Sequence, residues 1–122
     1  MNDRRPKRGA AAEDRGAEYL TARGITILAR NLRCRAGELD IVGLENSVLV
    51  VVEVRQRSRL DFGGASASVT AMKQHRIVRA TRYFMLRDWR WRRFAIRFDV
   101  LALQGPPGAQ QITWIKDAFR AT

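Results

Sequence analysis

The stretch GELDIVGLENSVLVVVEVR, residues 37–55, decides the fold. It holds two runs of strand-forming residues, 37–44 and 48–55, separated by Glu45, Asn46 and Ser47, a group suited to a turn. Together they predict a β-hairpin. The second run, VLVVVEV, is apolar on both faces, the pattern of a central strand covered on both sides. Strand alternation puts Leu49, Val51, Glu53 and Arg55 on one face, and Glu38, Asp40 and Val42 on one face of the strand before it.

Glu53 is the residue that does not belong in such a strand, because a buried carboxylate must be paired or hold a metal. Two hairpin registers bring it company. If Leu44 faces Leu49, Asp40 faces Glu53 with Cβ atoms about 4.5–5.5 Å apart. If Leu44 faces Ser47, Glu38 faces Glu53 and Asp40 lies on the diagonal, about 7–8 Å away. A shift by one residue would send the carboxylates to opposite faces. Carboxylates this close repel unless a cation lies between them, and hard oxygen donors suit Mg²⁺ or Mn²⁺. The alternative is a salt bridge from Arg55 to Asp40 or Glu53, with no metal.

Working outward, residues 11–23 predict a helix. Ala12, Gly16, Tyr19 and Leu20 recur at helical spacing, Glu13 sits in the first turn, and Gly24 closes it. Residues 25–33 predict a strand. Beyond the hairpin comes a polar loop of residues 56–65, carrying Arg57 and Arg59. A helix capped by Ser66 or Ser68 then runs to about Leu86. Its inward stripe is Val69, Met72, Ile77, Ala80 and Phe84, with Lys73 in the middle and His75 pointing away. A lysine there needs a partner or an escape route. Residues 96–103 and 112–115 predict two more strands, with Arg97 and Asp99 pairing on one face and Trp114 and Phe119 closing the C-terminus. The order α-β-β-β-α-β-β gives an α/β fold, with a mixed central sheet of about five strands flanked by helices. Residues 1–10 predict a flexible basic arm, and residues 11–122 a single domain.

The 122 residues carry 23 Lys+Arg against 12 Asp+Glu, a formal charge of +11, and 20 of the 23 cations are arginine. Such a surplus points to a polyanion, with nucleic acid the commonest. Arginine enrichment from a GC-rich genome is the bland reading. No run of 18 apolar residues occurs, so no membrane-spanning helix is expected. One cysteine, Cys34, and one histidine, His75, exclude an internal disulfide and a Cys-rich zinc cluster, and fit a cytoplasmic protein. Between Arg87 and Arg93 the chain interleaves Trp89 and Trp91 with Arg90, Arg92 and Arg93. Such a segment can stack on bases and grip phosphates. Either tryptophan could instead pack on the core.

Gly37 to Asp40 followed by Val51 to Arg57 resembles the D…(D/E)-x-K core of the PD-(D/E)XK nuclease superfamily. The chain from about Ala11 to Phe119 resembles the YraN-type family, which is similar to Holliday-junction resolvases. Further matching positions are Glu13 with Ala17, Tyr19 and Leu20, then Arg30-Asn31, Phe62-Gly63, Lys73 and Arg97-Phe98-Asp99. The resemblance implies a restriction-endonuclease-like core and a Mg²⁺- or Mn²⁺-dependent endonuclease acting on DNA in preference to RNA, with branched or structured DNA as substrate. It allows a homodimer, to match a two-fold junction. It implies that Asp40, Glu53 and Glu13 serve the metal. Arg55 occupies the superfamily's lysine position, which leaves Lys73 as the ammonium that could reach the acidic site. Arg57, Arg59, Arg90, Arg92 and Arg93 would contact nucleic acid. A non-catalytic nucleic-acid-binding protein on the same fold is the alternative.

Overall fold

The computed structural model describes residues 10–57, 69–106 and 108–121. Residues 1–9 of the expected arm, Arg59, and the proposed caps Ser66 and Ser68 lie outside the described residues. The elements are α1 (Ala10–Ala22), β1 (Thr26–Cys34), β2 (Gly37–Glu45), β3 (Val48–Arg57), α2 (Ala71–Arg87), a short 3₁₀ turn (Trp89–Arg93), β4 (Ala95–Gln104) and β5 (Gln111–Phe119). The strands form one mixed sheet in the order β1-β2-β3-β4-β5. Only β3 and β4 are parallel, and α2 supplies the long crossover that parallel neighbours need. The hairpin turns on Asn46 and Ser47, with Asn46 at φ 54°, while Glu45 stays in β2.

The valine run is central, as its pattern requires. One face of the sheet carries Val42, Leu49, Val51, Phe98 and Val100 against Ile77, Val78 and Ala80 of α2. The other carries Ile41, Val50, Val52, Leu101 and Leu103 against Ala12 and Leu20 of α1. β3 is thus sandwiched between the helices and buried from Leu49 to Glu53. Close approach is built into β2 at Gly43. A Cβ there would fall 2.5 Å from Ile25 Cγ2 and 2.8 Å from the Thr26 carbonyl oxygen, so only glycine fits.

Three local expectations are corrected. The cap of α2 is Thr70, whose hydroxyl accepts from the Lys73 N–H at 3.1 Å. It starts the helix at Ala71, with buried Val69 just before it. Met72 is not inward but 64% exposed, because a helix starting there turns it off the Ile77–Ala80 face. The last strand reaches Phe119 rather than Ile115, since Phe119 stacks on Phe98 at 5.1 Å and extends the pairing with β4.

Asp99 explains how that end holds together. It is fully buried, yet accepts two hydrogen bonds from Arg97, one from Trp114 Nε1 at 2.8 Å and one from the Asp117 N–H at 2.9 Å. The expected Arg97–Asp99 pair is therefore structural. Arg97 also reaches Glu45 at 2.8 Å, tying β4 to the end of β2.

Candidate active site

The hairpin takes the register in which Leu44 faces Leu49. The register that would bring Glu38 opposite Glu53 is not used, and Glu38 lies 3.6 Å from Arg33 instead. Pairing of β2 with β3 runs from Glu45↔Val48 to Ile41↔Val52. One position further, the Asp40 side chain takes over from the ladder. Its Oδ2 accepts from the Val54 N–H at 2.9 Å. The two strands part here, and their parting exposes Asp40 beside Glu53.

The neighbouring strand has an unusual backbone at the same level. Between the pairs Arg30↔Ile41 and Leu32↔Leu39, Asn31 adopts φ 54°. Asparagine tolerates that left-handed conformation better than other side chains. Alternation slips at the same level of β2: Ile41 faces the α1 side, while Leu39 and Val42 both join the α2 cluster. Such irregularities re-aim side chains beside functional sites.

Glu53 is only 4% exposed. Burial is the largest influence on its carboxyl, and hydrogen bonding and charge from the adjacent Asp40 add to it. Together they push its pKa up to about 8, while Lys73 and Arg55 pull the other way. Lys73 Nζ lies 3.5 Å and Arg55 Nη1 3.6 Å from the same oxygen, Oε2. Lys73 therefore resolves its place on an apolar stripe by reaching the carboxylate of β3. The Thr70 cap fixes its backbone in the first turn of α2, the positive end of the helix dipole.

Of the expected site residues, the structure brings together Asp40, Glu53, Arg55 and Lys73. Glu13 is buried on α1, on the face that carries Ala12, Gly16 and Leu20. That helix lies close to the same part of β3, since a Cβ at Gly16 would meet Val54 at 3.4 Å and Leu101 at 3.0 Å. Glu13 nevertheless belongs to the helix layer opposite Lys73. Among the described residues, no three His, Cys, Asp or Glu side chains converge as a metal cluster. Asp40 and Glu53 are the two carboxylates that the hairpin brings together, with Glu13 on the α1 side. Two carboxylates crowded in a buried fork carry negative charge that burial disfavours. They fit a hard divalent cation of the Mg²⁺ type, which takes one or two protein carboxylates and fills its shell with water and phosphate.

Arg90, Arg92 and Arg93 are exposed on the 3₁₀ turn, and Arg57 is half-buried at the end of β3. Trp91 is buried against Phe84, while Trp89 is 63% exposed, so the two tryptophans divide between the two roles the sequence left open. Sequence reading missed Arg79 and Arg82. With His75 they follow i, i+4, i+7 along α2, and with Arg120 they line a groove of about 330 Å³ between α2 and the C-terminal segment. Their helical spacing was the available signal.

The family model described as "Uncharacterised protein family UPF0102" matches residues 12–103. A UPF0102 protein of Pseudomonas putida KT2440 is 46% identical over 112 residues, covering 91% of this chain and 90% of its own. One from Pseudomonas entomophila is also 46% identical, with 91% of each chain covered. A third, from Legionella pneumophila strain Philadelphia 1, is 41% identical over 115 residues, covering 94% of this chain and 96% of its own. Among the described residues no helix is long and apolar enough to cross a membrane.

Proposed function

We propose, taking as premise that the chain belongs to the uncharacterised protein family UPF0102, that it is a metal-dependent endonuclease acting on structured DNA. The observation that carries this reading is the fork itself. Asp40 and Glu53 stand together where β2 and β3 part, with Lys73 Nζ 3.5 Å from Glu53. Asp40 and Glu53 would hold Mg²⁺ or Mn²⁺. When bound, such an ion neutralises the scissile phosphate and acidifies a water.

The chain's own groups do the rest. The Val54 N–H fixes the Asp40 carboxylate, so its second oxygen keeps one direction. Lys73 stabilises negative charge on the phosphoryl oxygens as the ester bond breaks. Arg55 clamps and orients the phosphate but takes no proton, because a guanidinium stays charged. Glu13, buried on α1, would hold a metal-bound water or a second ion. Arg57, Arg59, Arg90, Arg92, Arg93 and the His75–Arg79–Arg82 stripe bind backbone. A two-fold branched substrate would engage two copies of the chain.

The second reading is a nucleic-acid-binding protein without cleavage. Arg55 favours it, since an arginine stands where the superfamily places lysine, and both nearby cations already lie within 3.6 Å of Glu53. The deciding experiment incubates wild type and Asp40→Asn with single-stranded, duplex, flapped and four-way-junction DNA, in Mg²⁺, in Mn²⁺ and in EDTA. Metal-dependent cuts that vanish in the variant support the endonuclease. Salt-sensitive binding without cuts under any condition selects the second reading.

A further inference from the structure

We infer that the groove between β1 and the C-terminal end of α2 captures an unpaired nucleotide of a DNA strand. The inference rests on the endonuclease reading for where a cut would fall, and not for what occupies the groove.

The groove has a volume of about 610 Å³. Leu28, Ala29 and Leu32 of β1 form one wall, and Phe84, Trp91 and Phe94 the other. Its rim is cationic, with Arg87, Arg90 and Arg93 against a single acid, Asp88. That acid is spent on its neighbour: Asp88 accepts from Arg90 Nε at 3.0 Å and Nη2 at 2.9 Å. It also accepts from the Arg90 N–H at 3.1 Å, which caps the 3₁₀ turn. The outcome is a paired guanidinium and carboxylate among the groove's lining residues. Trp89 stands between Asp88 and Arg90 in the chain and is 63% exposed, and Leu28 of the β1 wall is 42% exposed. Tyr83 and Leu86, two more exposed apolar side chains, belong to the same end of α2.

Apolar walls alone would admit many occupants. The charge decides between them. An apolar slot with a rim of arginines and an exposed indole suits a group with a flat apolar face on an anionic chain, which describes an unstacked nucleotide. Single strands are held by this combination of aromatic or guanidinium platforms with a positive track. A paired duplex cannot use it, because its bases are stacked inward.

The groove and the acidic fork flank the same helix. Leu32 in the groove wall pairs with Leu39, the neighbour of Asp40 on β2, so the near end of the groove lies at the level of the fork. The His75–Arg79–Arg82 stripe lies along α2 toward the C-terminal segment, away from β1. A duplex on that stripe and an unpaired strand in the groove would place the cut near the point where pairing ends.

The test measures binding with the full-length Asp40→Asn protein in EDTA, so that no cleavage intervenes. The probes are oligothymidine, a blunt duplex and a splayed-arm duplex. Trp89→Ala and Leu28→Gln each alter an exposed side chain without altering charge, and thermal melts verify that both fold. Each is expected to lose about 10-fold in affinity for oligothymidine and the splayed duplex, and to stay within about twofold on the blunt duplex. Trp89→Phe restores most of the loss, because it keeps a stacking face.

Equal losses on all three probes, no loss on oligothymidine, or no rescue by phenylalanine overturns the inference. So does a wild-type dimer that Trp89→Ala converts to monomer with DNA selectivity unchanged, which would make the groove a self-association surface. Absent cleavage with selective capture intact overturns the endonuclease reading alone. Unselective binding with cleavage intact overturns the groove alone.

Discussion

Replacing Glu53 by glutamine should stabilise the metal-free protein at alkaline pH, even though it removes a central residue of the site. Glu53 ionises near its ordinary value of 4.5 when unfolded but only at about 8 when folded. Between those values the folded state holds a proton that the unfolded state has released. Stability therefore falls as pH rises from about 4.5 to 8, and the full penalty is present above 8. At about 1.4 kcal/mol per pH unit this amounts to about 5 kcal/mol as an upper bound. Glutamine cannot ionise and escapes the penalty, in which the opposing pull of Lys73 and Arg55 is already counted, but its amide replaces the protonated carboxyl beside Asp40 only in part. The net gain should be about 2 kcal/mol at pH 8.5 and close to zero at pH 4.5. For a chain of this length that is a melting-temperature rise on the order of 5–10 °C at the alkaline end only. The assay is thermal unfolding of both proteins in EDTA at several pH values, repeated with millimolar Mg²⁺. Magnesium should raise the wild-type melting temperature at pH 8.5 and leave Glu53→Gln unmoved. A variant-minus-wild-type difference that is flat across pH, or negative at pH 8.5, would refute the buried-fork account.

Asp40→Asn keeps an acceptor for the Val54 N–H and should melt within about 0.5 kcal/mol of wild type, whereas Asp40→Ala leaves that donor without its partner and costs about 1–2 kcal/mol. Comparing their denaturant midpoints checks whether the carboxylate takes the ladder's place. Arg79→Ala with Arg82→Ala should weaken DNA binding on every probe and lower the slope of log affinity against log salt by about two. An unchanged slope would remove the stripe from the interface. Asp99→Ala leaves Arg97 with Glu45 alone and the Trp114 and Asp117 N–H groups without their acceptor, and should cost about 3 kcal/mol. Chemical denaturation followed by tryptophan emission would report it, and a loss below about 1 kcal/mol would contradict its structural role.

Residue type and spacing carried most of the architecture. The doubly apolar valine run had to be central, and either in-phase hairpin register sets Asp40 on the face of Glu53, opposite it or on the diagonal. The helices followed from their stripes, and Lys73 stood out because it interrupts one. Less legible were features set by contacts distant in sequence. Thr70, not Ser66 or Ser68, caps α2 because the helix must begin where Val69 enters the core. β5 runs on to Phe119 because Phe98 offers it a ring to stack on. Both are decided by the sheet and not by local preference.

Fold class, the central strand and the presence of carboxylates beside Glu53 were legible from residue order, since these depend on periodicity and on how unusual a carboxylate is among valines. Packing chose between the two hairpin registers, brought Lys73 to 3.5 Å from Glu53, and set Glu13 on the opposite layer. It also divided the tryptophans, burying Trp91 and leaving Trp89 exposed. The physical reason is that periodicity assigns each side chain to a face, whereas the distance between side chains on different elements is fixed by how those elements pack.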